Sequence, residues 1–117
     1  MEKIYDLKER SYWFGINVIK LVKVLPKNTV AFVIGDQLIR AAMSIGANIT
    51  EGSAASSKKD FINFYNHALK SAVETKFWLR ALVDAELLPK EKVESFINEV
   101  DELSKILGSI VSKSRRK

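Results

Sequence analysis

The absences in the sequence exclude several classes of protein at once. The 117 residues contain no cysteine and one histidine. The lack of cysteine excludes disulfide frameworks, thiolate zinc sites, iron–sulfur clusters and cysteine nucleophiles, and a single histidine excludes any site that needs two. Two prolines and five glycines are too few for an all-β chain rich in turns. The chain is the size of one domain, residues 1–117, and we expect no cofactor and no metal.

Long apolar runs are also missing. No stretch of about 18 consecutive apolar residues occurs, which is the length at which a segment becomes a candidate membrane-spanning helix. Residues 1–6 lack the apolar segment of a signal peptide. The sequence therefore predicts a cytoplasmic protein with no membrane partner.

What is present is helical periodicity. Apolar residues recur at steps of three, four and seven along four segments, and this spacing places them on one face of a helix. The predicted helices cover about residues 6–25, 30–52, 58–86 and 90–112. Strand-like alternation is nearly absent. The sequence predicts an all-α fold, an antiparallel up-down-up-down four-helix bundle.

Residues at the segment boundaries predict how the helices begin and end. Thr29 is predicted to cap the second helix at its start, and Gly52 is predicted to be its C-terminal glycine. Ser57 and Asp60 predict a capped start for the third helix. Pro89 suits the first turn of the fourth.

The apolar stripes of two predicted helices are wider than a single bundle core requires. The additional residues are Tyr12, Trp13, Ile16 and Ile19 in the first helix, and Phe64, Phe77 and Trp78 in the third. Such width favours contact with another chain. The alternative is that large aromatic residues wrap the edges of the bundle.

The net charge of +5 is unevenly distributed along the chain. Residues 86–102 are acidic overall, and the last 15 residues carry five basic side chains and no acidic one. Basic residues near the third helix start and at the chain end are candidate phosphate contacts. These candidates are Lys58, Lys59, Lys113, Arg115, Arg116 and Lys117. The alternative for the last four is a short, frayed and solvated tail beyond residue 112.

Polar residues form a ribbon along one face of the second helix and another along the third. The ribbons contain Arg40, Ser44, Asn48 and Glu51 in the second helix, and His67, Ser71, Glu74 and Trp78 in the third. Their spacing of three and four keeps each set on one face. Antiparallel pairing of the two helices predicts a bidentate ion pair between Arg40 and Glu74.

Three interpretations of these ribbons remain open. The first is a structural polar network of Arg40, Ser44, Asn48, Glu51, Ser71 and Glu74 that fixes helix register and packing. The second is a ligand or phosphate site around Arg40. The third is catalysis by Glu51, Glu74 and His67, but the Glu-x-x-His motifs of a di-metal bundle are absent. We expect no catalytic residues and a non-enzymatic protein.

Residues 37–52 read QLIRAAMSIGANITEG. This run resembles the signature of the 23S rRNA intervening-sequence protein family, approximately Q-L-x-R-A-x-x-S-I-x-x-N-I-A-E-G, with Thr50 in place of the usual alanine. The downstream patterns Ser57-x-x-Asp60-Phe61 and Ala68-x-x-Ser71-x-x-Glu74 are similar to the family's third helix. The similarity covers nearly the whole chain.

The resemblance implies a small cytoplasmic helical bundle that assembles as a homopentamer. Some members of the family are encoded inside insertions in large-subunit ribosomal RNA genes. The function that the resemblance and the charge together favour is that of a non-enzymatic, homo-oligomeric, RNA-associated or scaffold protein. The alternative comes from a related branch, the accessory variability determinants of diversity-generating retroelements. It implies an accessory subunit that binds a reverse transcriptase and nucleic acid.

Overall fold

The structure is a computed structural model, and it describes the backbone of residues 2–116 and the side chains of residues 7–116. Four helices account for most of this part of the chain: α1 (Glu2–Val22), α2 (Thr29–Ser53), α3 (Lys58–Asp84) and α4 (Lys90–Arg115). Residues 2–116 contain no strand. The predicted all-α four-helix bundle is confirmed.

The four helices do not pack equally well against one another. α2 packs along both α1 and α3, and α3 also packs along α4, whereas α1 approaches α4 closely at few positions. Short connections between long helices that pack side by side give the up-down-up-down arrangement. The result is a rod with extents of 47 × 21 × 20 Å.

The core consists of the apolar stripes that the periodicity predicted. α1 contributes Leu7, Phe14, Val18 and Leu21, and α4 contributes Val93, Val100, Leu103, Leu107 and Val111. The fully buried residues of α2 and α3 include Leu38, Ala42, Ile45, Ile49, Tyr65, Ala68, Ala72, Leu79 and Leu82. Because these residues recur every three or four positions, each helix turns one continuous apolar face inward.

The predicted boundaries of α2 need two corrections. Its N-cap is Asn28 rather than Thr29, because the Asn28 side chain accepts a hydrogen bond from the Ala31 N–H at 2.9 Å. Gly52 does not end the helix in a left-handed conformation, since α2 continues to Ser53 and no glycine in residues 2–116 has positive φ. A Cβ on Gly52 would instead lie 2.7 Å from the Tyr65 ring, so this glycine allows α3 to approach.

The start of α3 is capped as predicted, and its end shows a different device. Ser57 Oγ accepts a hydrogen bond from the Asp60 N–H at 3.1 Å. The helix ends at Asp84, two residues before the predicted boundary. Glu86 then adopts φ 62°, and the Leu87 N–H donates to the Leu82 carbonyl at 2.9 Å. This left-handed residue and the bond across the turn are the features of a Schellman motif.

The outer helices also differ from their predicted ranges. α1 ends at Val22 and residues 23–25 form turns, so the helix stops three residues before the predicted end. α4 continues to Arg115, which contradicts a tail that begins after residue 112. Lys113 and Arg115 therefore lie in the last helical turn, where cations offset the negative end of the helix dipole. Lys117 lies outside the described residues.

α2 is the most apolar of the four helices. By length and composition it meets the criteria for a helix that crosses a membrane, with a mean hydropathy of 1.4 over 18 residues, although 39% of that window is buried inside the bundle. This qualifies the prediction made from apolar runs alone. A helix that supplies the bundle core meets the same criteria, so the finding is weak evidence for a membrane span.

Candidate functional site

Most of the candidate phosphate-binding residues lie at one end of the rod. α3 begins where α4 finishes, because the two helices are antiparallel neighbours. The ion pair between Lys76 Nζ and Asp101 Oδ1, at 2.9 Å, fixes their register. Lys58 and Lys59 open α3, and the last turn of α4 lies near them. We call this set of residues at positions 58, 59, 113, 115 and 116 the basic end.

The side chains of the basic end are exposed and available to a ligand. All five belong to the exposed class of residues. Within residues 7–116, none of them forms an ion pair. Asp60 is the neighbouring acidic residue in the first turn of α3. Glu51, near the end of α2, is also exposed at this end of the rod. The solvated cations outnumber these two carboxylates among the described side chains, and such a surface attracts phosphate groups without reading a base sequence.

The polar ribbons meet at one hydrogen-bonded cluster between α2 and α3. Ser71 Oγ donates to Ser44 Oγ at 2.9 Å. Asn48 Nδ2 donates to the Ser44 carbonyl at 2.8 Å and lies 3.0 Å from Ser44 Oγ. The three side chains are half-buried. The cluster joins the two helices by a direct hydrogen bond, and this geometry suits a packing contact.

The predicted pair between Arg40 and Glu74 is wrong. Arg40 is 74% exposed and its Nε donates to Asp36 Oδ2, one turn earlier in the same helix, at 3.2 Å. Glu74 Oε2 accepts from Trp78 Nε1 at 3.0 Å. Both side chains lie on the outer edges of their helices, where a partner at i+4 or i−4 is nearer than one on the next helix. The carboxylate beside Arg40 is therefore that of Asp36, in the same helix.

The remaining residues of the ribbons are not brought together. Glu51 and His67 are exposed on different helices, and no hydrogen bond joins either of them to the Ser44 cluster among the described side chains. Residues 7–116 contain no group of three or more His, Asp or Glu side chains arranged to hold a metal ion. The geometry offers no proton-transfer pair at this face.

An ion pair that the sequence did not indicate connects α1 to α4. Arg10 Nε and Nη2 donate to the two carboxylate oxygens of Glu99 at 2.7 and 2.9 Å, and Nη2 also donates to Glu102 Oε1 at 2.9 Å. The hydrogen bond to Glu99, with a smaller contribution from Glu102, raises the pKa of Arg10 above its usual range despite partial burial. The acidic stretch 86–102 was the one visible signal, but it did not identify the partner.

Some of the additional apolar residues that widened the predicted stripes are exposed, and others are half-buried. Tyr12, Trp13 and Phe77 are between 50% and 61% exposed, whereas Ile16, Ile19, Phe64 and Trp78 are half-buried. Exposed apolar residues at the start of α2 were not predicted, and Phe32 there is 80% exposed. Exposed valines lie close to it along the chain; these are Val24, Val30 and Val33.

These features define the class of the protein: a four-helix bundle with one basic end and an unusually apolar second helix. The family model described as 23S rRNA-intervening sequence protein matches residues 3–109. The chain belongs to this family.

A solved structure from Bacteroides thetaiotaomicron is described as a protein of unknown function from the S23 ribosomal protein family. It is similar to this chain over nearly the whole length of both. It is 40% identical, with 94% of this chain and 98% of that chain covered and a TM-score of 0.88. The search of curated proteins finds no match.

Proposed function

We propose that this protein is a non-enzymatic, homo-oligomeric scaffold that associates with RNA, and that the basic end contacts RNA phosphates. The observation that carries the proposal is the gathering of five exposed cations at one end of the rod, from the start of α3 and the end of α4. Phosphate contacts of this kind supply affinity and little sequence preference.

The charge at the opposite end of the rod makes that end a less suitable surface for RNA than the basic end. The opposite end joins α1 to α2 and α3 to α4, and its acidic residues balance its basic ones, whereas the described side chains of the basic end include five cations beside Glu51 and Asp60. Its charged residues include Lys23, Lys27, Asp84, Glu86, Lys90, Glu91 and Glu94. A mixed surface produces a weaker field at the distance of a polyanion. RNA is therefore expected to approach the basic end.

The start of α2 supports self-association. Phe32 and Val33 remain 80% and 57% exposed there, before the exposed ion pair of Asp36 with Arg40 along the same helix. A second copy that covered this face would remove apolar surface from water. A homopentamer, which the family resemblance implied, would bring five basic ends into one assembly and multiply the attraction for RNA.

The RNA contact is tested with a structured RNA over a salt titration. The test variant replaces Lys113, Arg115 and Arg116 with alanine. The control replaces Lys23, Lys27 and Lys90 with alanine, because it removes the same charge from the opposite end. If all five cations of the basic end contact phosphates, log Kd is expected to change with log salt by about 3.5 to 4.5 per protomer.

Loss of affinity in the test variant alone, with a shallower salt dependence, is the expected result. Equal losses in both variants would show that overall charge, rather than this end, attracts RNA. Absence of binding at low salt would reject the RNA proposal.

Self-association has its own measurement, which does not depend on RNA. Sedimentation equilibrium gives the subunit number of the unmodified chain, and Phe32→Glu is expected to reduce it. A chain that stays monomeric at high concentration would reject the scaffold proposal, whatever the RNA result.

A further inference from the structure

The side of the bundle between α1 and α4 is open. Where the other neighbouring helices pack along their length, these two leave a cleft of about 580 Å³. We call it the α1–α4 cleft. The ion pair of Arg10 with Glu99 closes one end of it.

The floor of the cleft is apolar. The rings of Phe14 and Phe96, one from each helix, are 6.3 Å apart and tilted by 56°. Leu21 continues the floor along α1, and it is 7% exposed. The rim carries Trp13 and Val24, which are 51% and 62% exposed. Phe14 is 4% exposed and Phe96 is half-buried, so the apolar surface that water still reaches lies mainly on Trp13 and Val24.

The charge in the cleft is positive at the end away from Arg10. Lys20 of α1 and Lys92 of α4 line this end and are exposed. Among residues 7–116, neither lysine forms an ion pair. The one carboxylate that lines the cleft, Glu99, is already engaged by Arg10. The cleft therefore complements a ligand with an apolar body and negative charge at one end.

The shape of the cleft fits a helix better than a small molecule. Its α1 wall consists of residues that recur every three or four positions from Arg10 to Val24, about 21 Å of helix, and its α4 wall runs beside part of this length, from Lys92 to Glu99, about 10 Å. The cleft is open to solvent along this length. Small-molecule sites bury most of their ligand, whereas a helix in a groove buries one face and leaves the other in water.

We propose that the α1–α4 cleft binds an amphipathic helix of a partner protein, with the apolar face of that helix on Trp13, Val24 and Phe96 and acidic residues of one end beside Lys20 and Lys92. The two lysines select the charge and the direction of the bound helix. This surface lies along the side of the rod, so its function is separate from the RNA contacts at the basic end.

The probe is a pair of synthetic helical peptides of about 16 residues, a length that matches the α1 wall. Both carry leucine at i, i+3, i+4, i+7 and i+11. One has glutamate and the other lysine at the remaining positions of one terminal turn. Affinity is read from the fluorescence of Trp13 in a Trp78→Phe background, and amide chemical shifts locate the peptide.

The expected result is that the unmodified cleft prefers the acidic peptide by about tenfold, which corresponds to two exposed charge pairs that change from attraction to repulsion. The variant K20E/K92E is expected to reverse the preference. The matched control K70E/K105E makes the same charge change at exposed positions outside the cleft and is expected to retain the preference of the unmodified protein.

Three outcomes would overturn the proposal. One is equal binding of both peptides, or binding of neither. The second is a preference that K20E/K92E does not change, while circular dichroism shows that the variant is folded. The third is a change in Trp13 fluorescence with protein concentration in the absence of peptide, since this would show that a second copy of the chain occupies the cleft.

Discussion

The seam between α2 and α3 and the seam between α1 and α4 are built in opposite ways. Small residues and hydroxyl groups bring α2 and α3 together, as the contact of Gly52 with Tyr65 and the hydrogen bond between Ser71 and Ser44 show. Long side chains bridge α1 and α4, through the ion pair of Arg10 with Glu99.

The difference follows from the size of the side chains at each contact. Helices approach closely only where side chains at the contact are small, because the interaxial distance depends on their size. An arginine that reaches across a gap satisfies two carboxylates without closing it. The α2–α3 seam therefore carries stability, whereas the α1–α4 seam leaves surface for another molecule.

Truncation of a core residue is expected to cause the largest loss of stability and to distinguish the α2–α3 seam from the α1–α4 seam. Leu79 is fully buried in α3, so Leu79→Ala is expected to lower the free energy of unfolding by about 3 kcal/mol. Phe96→Ala removes a larger side chain beside the cleft, where water can fill the space, and is expected to cost about 1–2 kcal/mol. Urea denaturation measures both. A larger loss for Phe96→Ala would mean that the α1–α4 seam is not open in solution.

A pair of glycine substitutions tests the close approach of α3 to α2. In Gly52→Ala the new Cβ would lie 2.7 Å from the buried Tyr65 ring, and the expected loss is about 1–2 kcal/mol. Gly108 is the control, because it is also helical and a Cβ there has no neighbour within 4 Å. Gly108→Ala is expected to add up to about 1 kcal/mol through helix propensity. Thermal unfolding shifts of the same sign would contradict this account.

The hydrogen bond across the α2–α3 seam is tested by a double-mutant cycle. Ser44→Ala and Ser71→Ala are each expected to cost about 1 kcal/mol, because each removes a partner from a half-buried hydroxyl. The double variant is expected to lose less than the two single losses combined, since both remove the same bond. Additive losses in chemical denaturation would show that the two hydroxyl groups are not coupled.

The smallest effect is expected at the ion pair across the α1–α4 seam. Arg10→Met is expected to cost less than about 1 kcal/mol at low salt, and the difference from the unmodified protein is expected to shrink in about 1 M salt. Arg40→Met is the control, since its partner Asp36 is one turn away in the same helix and both are exposed. Its expected change is below about 0.5 kcal/mol. A loss of several kcal/mol at Arg10 would indicate a buried pair that holds the bundle closed.

The helices were predictable because apolar spacing and capping residues depend on geometry within a few residues. The stripe from Val93 to Val111 repeats at helical spacing, and the cap formed by Ser57 and Asp60 lies within four residues. The error at Thr29 arose because Asn28, which is the stronger capping residue in this position, directly precedes it. Local patterns placed the starts of α2, α3 and α4 to within one residue, whereas α1 begins at Glu2, four residues before its predicted start.

The contacts between helices were only partly predictable. Spacing correctly placed Ser44 and Ser71 on facing sides, but it also suggested a pair of Arg40 with Glu74. Arg40 has a closer partner in its own helix, and a periodic pattern does not distinguish an inner position from an outer edge. The α1–α4 cleft was not predictable, because the gap between two helices depends on the packed volumes of all four.

The rod shape has a consequence for how this protein behaves in solution. A body more than twice as long as it is wide, at 47 × 21 × 20 Å, meets more friction than a sphere of equal mass. A single protomer will therefore elute early from a size-exclusion column and imitate a small oligomer. The rod also tumbles slowly about its short axes and quickly about its long axis, so amide groups that lie along the helices will relax differently from those in the loops. Subunit number should thus be taken from a measurement of mass.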